Sequence, residues 1–305
     1  MINENLSVAQ VLDWYCVAGV DATLDDVPFA KTQTKSHSNF NTSVAVNQSL
    51  PNVQKSLHTS SPANPFAASD DSSAVSHSKS TPVQETVTRP AMTDLAQDTL
   101  NACANAANLC KKASSLEELK TTLEAFDGCA LKLTATHTVF GDGNPQAKIM
   151  LIGEAPGADE DRLGVPFVGK SGKLLDEILT AAGFNRYIDC FIANVLPWRP
   201  PGNRTPTTAE VAVCLPFLKR QIELIKPKAL VLLGGSAANA LFDNQEPISK
   251  LRGKWWDFLS DDGQSVKALA TFHPAYLLRN PAQKAKIWAD FLRLKKFLQN
   301  LSNAL

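Results

Sequence analysis

Four side chains of different chemistry stand where apolar runs give way to Gly- and Pro-containing loops: Glu154, Phe167, Asn194 and His273. Glu154 lies in Gly153-Glu154-Ala155-Pro156-Gly157-Ala158-Asp159-Glu160-Asp161, directly after Lys148-Ile149-Met150-Leu151-Ile152. Phe167 lies in Gly164-Val165-Pro166-Phe167-Val168-Gly169-Lys170-Ser171-Gly172. Asn194 sits in Ile192-Ala193-Asn194-Val195-Leu196-Pro197, and His273 opens His273-Pro274-Ala275-Tyr276-Leu277-Leu278-Arg279. A phenyl ring offers a flat apolar face. An amide both donates and accepts, so it can read the edge of a base. An imidazole can donate to an oxygen that gains charge, and a carboxylate can position water. That set suits a nucleobase taken out of its stack.

The elements around these residues must bring them together. Residues 148–153 read as a buried parallel strand, because the apolar run is continuous rather than alternating. Further strands are expected at 189–195, 229–234 and 266–272, with helices at 171–183, 207–226, 235–242 and 281–300 between or after them. Ser115-Leu116-Glu117-Glu118 is a capping box that opens an earlier helix, expected to end near Gly128. Alternating strands and helices imply an α/β fold, a three-layer α/β/α sandwich around a central four-stranded parallel sheet. Such sheets place ligands at the carboxyl ends of their strands, where Glu154, Asn194 and His273 fall.

The rest of the 305-residue chain differs in character. Residues 1–30 are expected to form a short N-terminal helical segment. Leu6, Val8, Val11, Leu12, Tyr15 and Val17 recur near helical spacing there, and the helix at 6–19 suits docking on its own domain or on a protein partner. Residues 31–92 are rich in Ser, Thr, Asn, Pro, Ala and Gln, a composition expected of a disordered linker. The folded domain spans 93–305. Net charge is zero, yet residues 199–305 carry 16 basic and 8 acidic residues, which suits a polyanion such as nucleic acid. No run of 18 apolar residues predicts a membrane helix, and the N-terminus lacks the pattern of a signal peptide. The six cysteines show no disulfide framework, so a cytoplasmic location is expected.

Taken together, Gly153-Glu154-Ala155-Pro156-Gly157, Pro166-Phe167-Val168-Gly169, Asn194-Val195, Arg199-Pro200-Pro201-Gly202-Asn203-Arg204 and His273-Pro274-Ala275-Tyr276-Leu277-Leu278-Arg279 closely resemble the family 4 uracil-DNA glycosylases, in order and spacing. The resemblance covers about residues 120–300. It implies a monofunctional enzyme, a monomer, that hydrolyses the N-glycosidic bond of deoxyuridine in single- and double-stranded DNA and so initiates base-excision repair. Phe167 then stacks on uracil, Asn194 reads its edge, and Gly153 and Gly157 line the pocket. His273 stabilises the uracil anion, Glu154 positions water or stabilises the sugar cation, and Glu160, a second carboxylate beside the pocket, is grouped with them as a catalytic candidate. Tyr276, Leu277 and Leu278 form a wedge for the space left by the flipped nucleotide. Arg279, Lys170, Ser171, Arg199, Arg204, Gly235 and Ser236 are expected to meet DNA, chiefly its phosphates. The alternatives are an enzyme of shifted base choice, acting on mismatched thymine, hypoxanthine or xanthine, and a non-catalytic DNA-binding module.

In one respect the chain departs from the family. Family 4 members generally hold a [4Fe–4S] cluster on four cysteines. Here Cys129 and Cys214 match two of those positions, while Lys132 and Trp198 occupy the other two. With two of four thiolates missing, no cofactor and no metal are expected, and Trp198 with apolar neighbours is expected to fill the space.

Overall fold

The computed structural model describes residues 92–303. The N-terminal segment 1–30, with its helix at 6–19, and the linker assigned to 31–92 lie outside the described residues, except for Met92 at the start of the first helix.

Six strands form one sheet in the order β1-β3-β2-β4-β6-β5. They are β1 (Asp142–Gly143), β2 (Ile149–Gly153), β3 (Cys190–Asn194), β4 (Ala229–Leu233), β5 (Trp255–Leu259) and β6 (Ser265–Thr271). The four inner strands run parallel, as the alternation of elements requires. The sequence reading missed both edge strands, which are antiparallel. β1 is only two residues long, and β5 mixes exposed and buried positions, so neither carries the continuous apolar run of a central strand.

Side chains alternate across the sheet and divide the core in two. Met150, Ile152, Leu230, Leu232, Ala268 and Ala270 face one layer, which contains α1 (Met92–Lys112), α2 (Leu116–Ala125), α5 (Thr208–Ile225) and α6 (Gly235–Phe242). Ile149, Leu151, Val231, Leu233 and Leu269 face the other, built from α4 (Lys170–Ala182), α8 (Pro274–Arg279) and α9 (Lys284–Asn303). Two short helices complete the described fold, α3 (Ala158–Leu163) and α7 (Ile248–Leu251). The capping box at Ser115 is present, but α2 stops at Ala125, short of Gly128. The helix expected from 281 begins with a single 3₁₀ turn at Pro281–Gln283 and becomes α-helical at Lys284.

Strand order fixes where a ligand can go. The chain leaves β2 for β3 on one side, then returns through α5 to β4 on the other. Connections that diverge in this way open a crevice at the carboxyl ends of the strands. Gly153 of β2 pairs in register with Asn194 of β3, and Leu233 of β4 with Thr271 of β6. Glu154, Asn194, Gly234 and the approach to His273 therefore meet at one sheet edge.

Candidate active site

A cavity of ≈ 410 Å³ occupies that edge. Glu154, Gly157, Glu160, Phe167, Ser171, Asn194, Arg204, His273, Tyr276 and Arg279 all line it. Segments separated by more than a hundred residues thus converge on one space.

Each side chain is held by local chemistry. The β2–β3 ladder continues past the strand ends, with Val195 N–H donating to Gly153 O (2.9 Å) and Leu196 N–H donating to Glu154 O (3.0 Å). That fixes the Glu154 backbone at the cavity floor. Asn194 is buried, and its Oδ1 has no hydrogen-bond partner among the described residues. A buried acceptor without a donor is costly, so a ligand N–H is the natural complement.

Phe167 is buried and adopts φ +53°, a left-handed conformation that phenylalanine rarely takes. Two glycines make room for it. A Cβ on Gly172 would stand 1.9 Å from Phe167 O, so only glycine lets the first turn of α4 lie under this loop. A Cβ on Gly153 would meet Asn194 Oδ1 at 2.4 Å and Phe167 Cζ at 2.7 Å. The sequence reading did not single out Arg186, which is buried and holds the same loop. Its Nη2 donates to Pro166 O (2.6 Å) and its Nη1 to Phe167 O (3.1 Å), while Asp142 and Asp176 balance its charge. No local motif marks Arg186, because its partners lie on three other segments.

Glu160 proves to be a loop clamp. Its carboxylate accepts from the N–H groups of Gly157 (3.1 Å), Val168 (3.0 Å) and Gly169 (2.9 Å). It ties the Glu154 loop to the Phe167 loop and stands as a fixed wall of the cavity.

His273 caps the N-terminus of α8, its Nδ1 accepting from Ala275 N–H (3.1 Å). An accepting Nδ1 leaves the proton of the neutral ring on Nε2. Burial lowers its pKa to about 4, the nearby Arg279 charge adds to that, and Glu160 opposes it. The ring is therefore a neutral donor near pH 7. Its centroid lies 5.5 Å from that of Phe167. Gly234, at φ +102°, passes so close that a Cβ there would stand 3.2 Å from His273 Cβ.

The expected wedge needs correction at Leu277. Successive residues of a helix point about 100° apart, and that turn buries Leu277 completely in the core. Leu278 is 47% exposed at the surface. Tyr276 packs on Phe272 with ring centroids 5.0 Å apart and lines the cavity. Lys170 and Ser236 lie exposed at the starts of α4 and α6, and Gly235 is half-buried beside Ser236. Arg199 donates to Asn203 Oδ1 (2.8 Å), and Arg204 pairs with Glu210 at the cavity rim.

Comparison with known proteins agrees with this geometry. The profile of the Uracil DNA glycosylase superfamily matches residues 140–292. The chain is 40% identical over 187 residues to the type-4 uracil-DNA glycosylase of Thermotoga maritima, covering 60% of this chain and 95% of the relative. It is 41% identical over 184 residues to the type-4 uracil-DNA glycosylase of Archaeoglobus fulgidus, covering 59% and 92%. It is 39% identical over 179 residues to that of Pyrobaculum aerophilum, covering 57% and 90%.

This likeness overturns the expectation of no cofactor, because type-4 enzymes are typically iron–sulfur proteins. The cluster positions of that family fall at one buried corner of this chain. Cys129 and Cys214 are both buried there, with their sulfurs 3.9 Å apart. Lys132 Nζ donates instead to the carbonyls of Glu124 (2.5 Å) and Phe126 (2.8 Å) at the end of α2. Trp198 is buried and donates from Nε1 to Thr138 Oγ1 (3.0 Å). Among the described residues no three His, Cys, Asp or Glu side chains stand together as metal ligands. Two thiols do not fit a four-thiolate cluster.

Proposed function

From the premise that this chain belongs to the Uracil DNA glycosylase superfamily, we propose how its own residues carry out the reaction. The protein is a uracil-DNA glycosylase, a monofunctional hydrolase of DNA repair that acts on DNA. The buried, unpartnered Oδ1 of Asn194, in the cavity that Phe167 and His273 also line, is the observation that carries the assignment of roles.

A flipped uracil stacks on Phe167. Asn194 accepts from the uracil N3–H through Oδ1 and donates to O4 through its amide nitrogen. Cytosine has no proton on N3 and donates from its 4-position, so it leaves both groups mispaired. His273 donates from Nε2 to O2. As the bond from C1′ to N1 breaks, its electron pair passes to the base, and the charge gathers where His273 already points. Glu154 orients a water against C1′ and receives its proton, and the hydroxyl completes the abasic sugar. Donors fixed before the charge develops supply most of the rate.

Arg279, Lys170, Arg199 and Arg204 meet phosphates around the cavity mouth. Ser171, Gly235 and Ser236 offer hydroxyl and N–H donors at helix starts. Leu278, beside Tyr276, enters the gap left by the flipped nucleotide. Glu160 and the small Gly157 wall the ring edge of the base. In this reading the enzyme is a monomer, and it works in the cytoplasm, a reducing compartment consistent with five free cysteines among the described residues.

Single-turnover cleavage of oligonucleotides carrying uracil, cytosine, thymine or hypoxanthine tests the assignment. Uracil is expected to be excised far faster than the others, with Asn194→Asp losing the preference over cytosine. Faster release of thymine or hypoxanthine than of uracil would overturn the uracil-reading role given to Asn194.

A further inference from the structure

A second recess of ≈ 300 Å³ opens beside the first, and Glu154 lines both. It lies between the start of α5 and the outer face of α6. Val195, Leu196 and Leu215 give it an apolar floor, and Ser236, Asn239 and Gln245 bring polar groups to its edge. No lysine or arginine lines it, whereas Asp243 and Glu154 do. A phosphate would be repelled from its interior, away from the helix start at Gly235 and the exposed Ser236. An apolar floor edged by side-chain amides instead matches a nucleobase, which is flat, apolar on its faces and polar at its rim.

Asn239 sharpens the match. Its Oδ1 is buried with no hydrogen-bond partner, the same condition as Asn194 Oδ1 in the first cavity. Two asparagine acceptors thus stand unpaired in adjoining recesses, and the substrate is a polymer whose next base follows one nucleotide away. Thr205, directly after Arg204 in the lining of the first cavity, lines the second, so neighbouring residues of one loop border both recesses.

We propose that this second recess takes the base of a nucleotide adjacent to the flipped uridine on the same strand, with Asn239 Oδ1 accepting from that base. The proposal rests on the glycosylase reading above. It makes excision depend on the identity and presence of a neighbouring base, separately from recognition of uracil.

The test uses single-stranded oligonucleotides in which the 5′ or the 3′ neighbour of uridine is each base in turn or an abasic spacer. Removing the base on one side is expected to slow sub-saturating excision about tenfold. Ala240→Phe fills the recess from α6, and Asn239→Leu removes its acceptor. Both variants are expected to keep the wild-type rate on the spacer substrate and to lose the gain from the neighbouring base. Thermal unfolding checks that each variant is folded, and either one alone suffices. Equal wild-type rates with base and spacer on both sides would overturn the proposal. So would an undiminished neighbour effect in the folded variants. Excision of uracil from none of these strands would instead bring down the glycosylase reading and this proposal with it.

Discussion

Arg186 donates to the carbonyl oxygen of Phe167, nineteen residues earlier, and so pins a phenylalanine whose φ is +53°. A strained backbone persists only where its surroundings over-determine it. Here the guanidinium bonds two successive carbonyls and is itself neutralised by Asp142 and Asp176. Arg186→Met leaves those carbonyls and carboxylates without their donor. We expect a loss of about 3 kcal/mol in stability, at the low end for a broken buried pair because both acids are partly exposed. Excision is expected to fall further than stability explains. In a Phe167→Ala background the Arg186 substitution should then cost excision little more, since the ring it positions is gone. A double-mutant cycle of single-turnover rates checks this; additive losses would show that Arg186 does not act through Phe167.

The two carboxylates of the Glu154 loop should separate cleanly. Glu160 accepts three backbone N–H bonds, and an amide in its place turns an NH₂ group toward at least one of those donors. Glu160→Gln is expected to cost about 1–3 kcal/mol for the mispaired group and to loosen the cavity wall. Glu154 has no such load among its side-chain contacts, and Glu154→Gln is expected to leave the unfolding midpoint nearly unchanged. It should slow excision by about a hundredfold or more, the usual range for a group acting on the attacking water. Urea unfolding set beside single-turnover rates distinguishes the two, and reversed effects would exchange their roles.

Much of this site was legible because its residues follow strands buried on both faces. Such strands read as unbroken apolar runs, so the residues at which they stop, Glu154 and Asn194, announce the sheet edge. What stayed hidden was set by contacts distant in sequence. Arg186 follows a helix end with no motif, and its meaning lies in Pro166, Phe167, Asp142 and Asp176. Leu277 and Leu278 are adjacent and alike in type, and only the rotation of α8 sends one to the core and the other to solvent. Cysteine count alone misleads on the cofactor: Lys132 and Trp198 stand at two of the four cluster positions, yet the expectation of no cofactor is overturned by the likeness to type-4 enzymes.

His273 gives a pH prediction with a definite sign. Its folded pKa is about 4, against 6.5 for the free side chain. Between those values the unfolded chain binds a proton that the folded protein refuses. Stability therefore falls as pH drops from 6.5 toward 4, by about 3 kcal/mol in total, and this contribution is flat above 6.5. His273→Gln removes the dependence. Urea midpoints of both proteins at pH 7, 5.5 and 4.5 measure it. The excision rate should show no His273 titration near pH 6.5, because the neutral ring is the working form throughout; an inflection there that disappears in His273→Gln would contradict the neutral-donor role.

Gly153→Ala tests the cavity itself. The added methyl would lie 2.4 Å from Asn194 Oδ1 and 2.7 Å from Phe167 Cζ, closer than carbon atoms tolerate. Neither neighbour yields freely. Asn194 ends a central strand in register with Gly153, and Phe167 is held by Arg186 and by the close approach of Gly172. Relief must come from turning the amide or the ring into the space that the base needs. Overpacking of this kind costs about 1–3 kcal/mol, while the effect on excision should exceed a hundredfold, because both groups that recognise uracil are displaced together. Free uracil as a competitor supplies an independent readout. Its inhibition of the wild type should vanish in the variant, whereas affinity for abasic-site DNA, which needs the basic rim rather than the pocket, should change little. Retained inhibition by uracil at wild-type concentrations would mean that the base does not bind between Asn194 and Phe167.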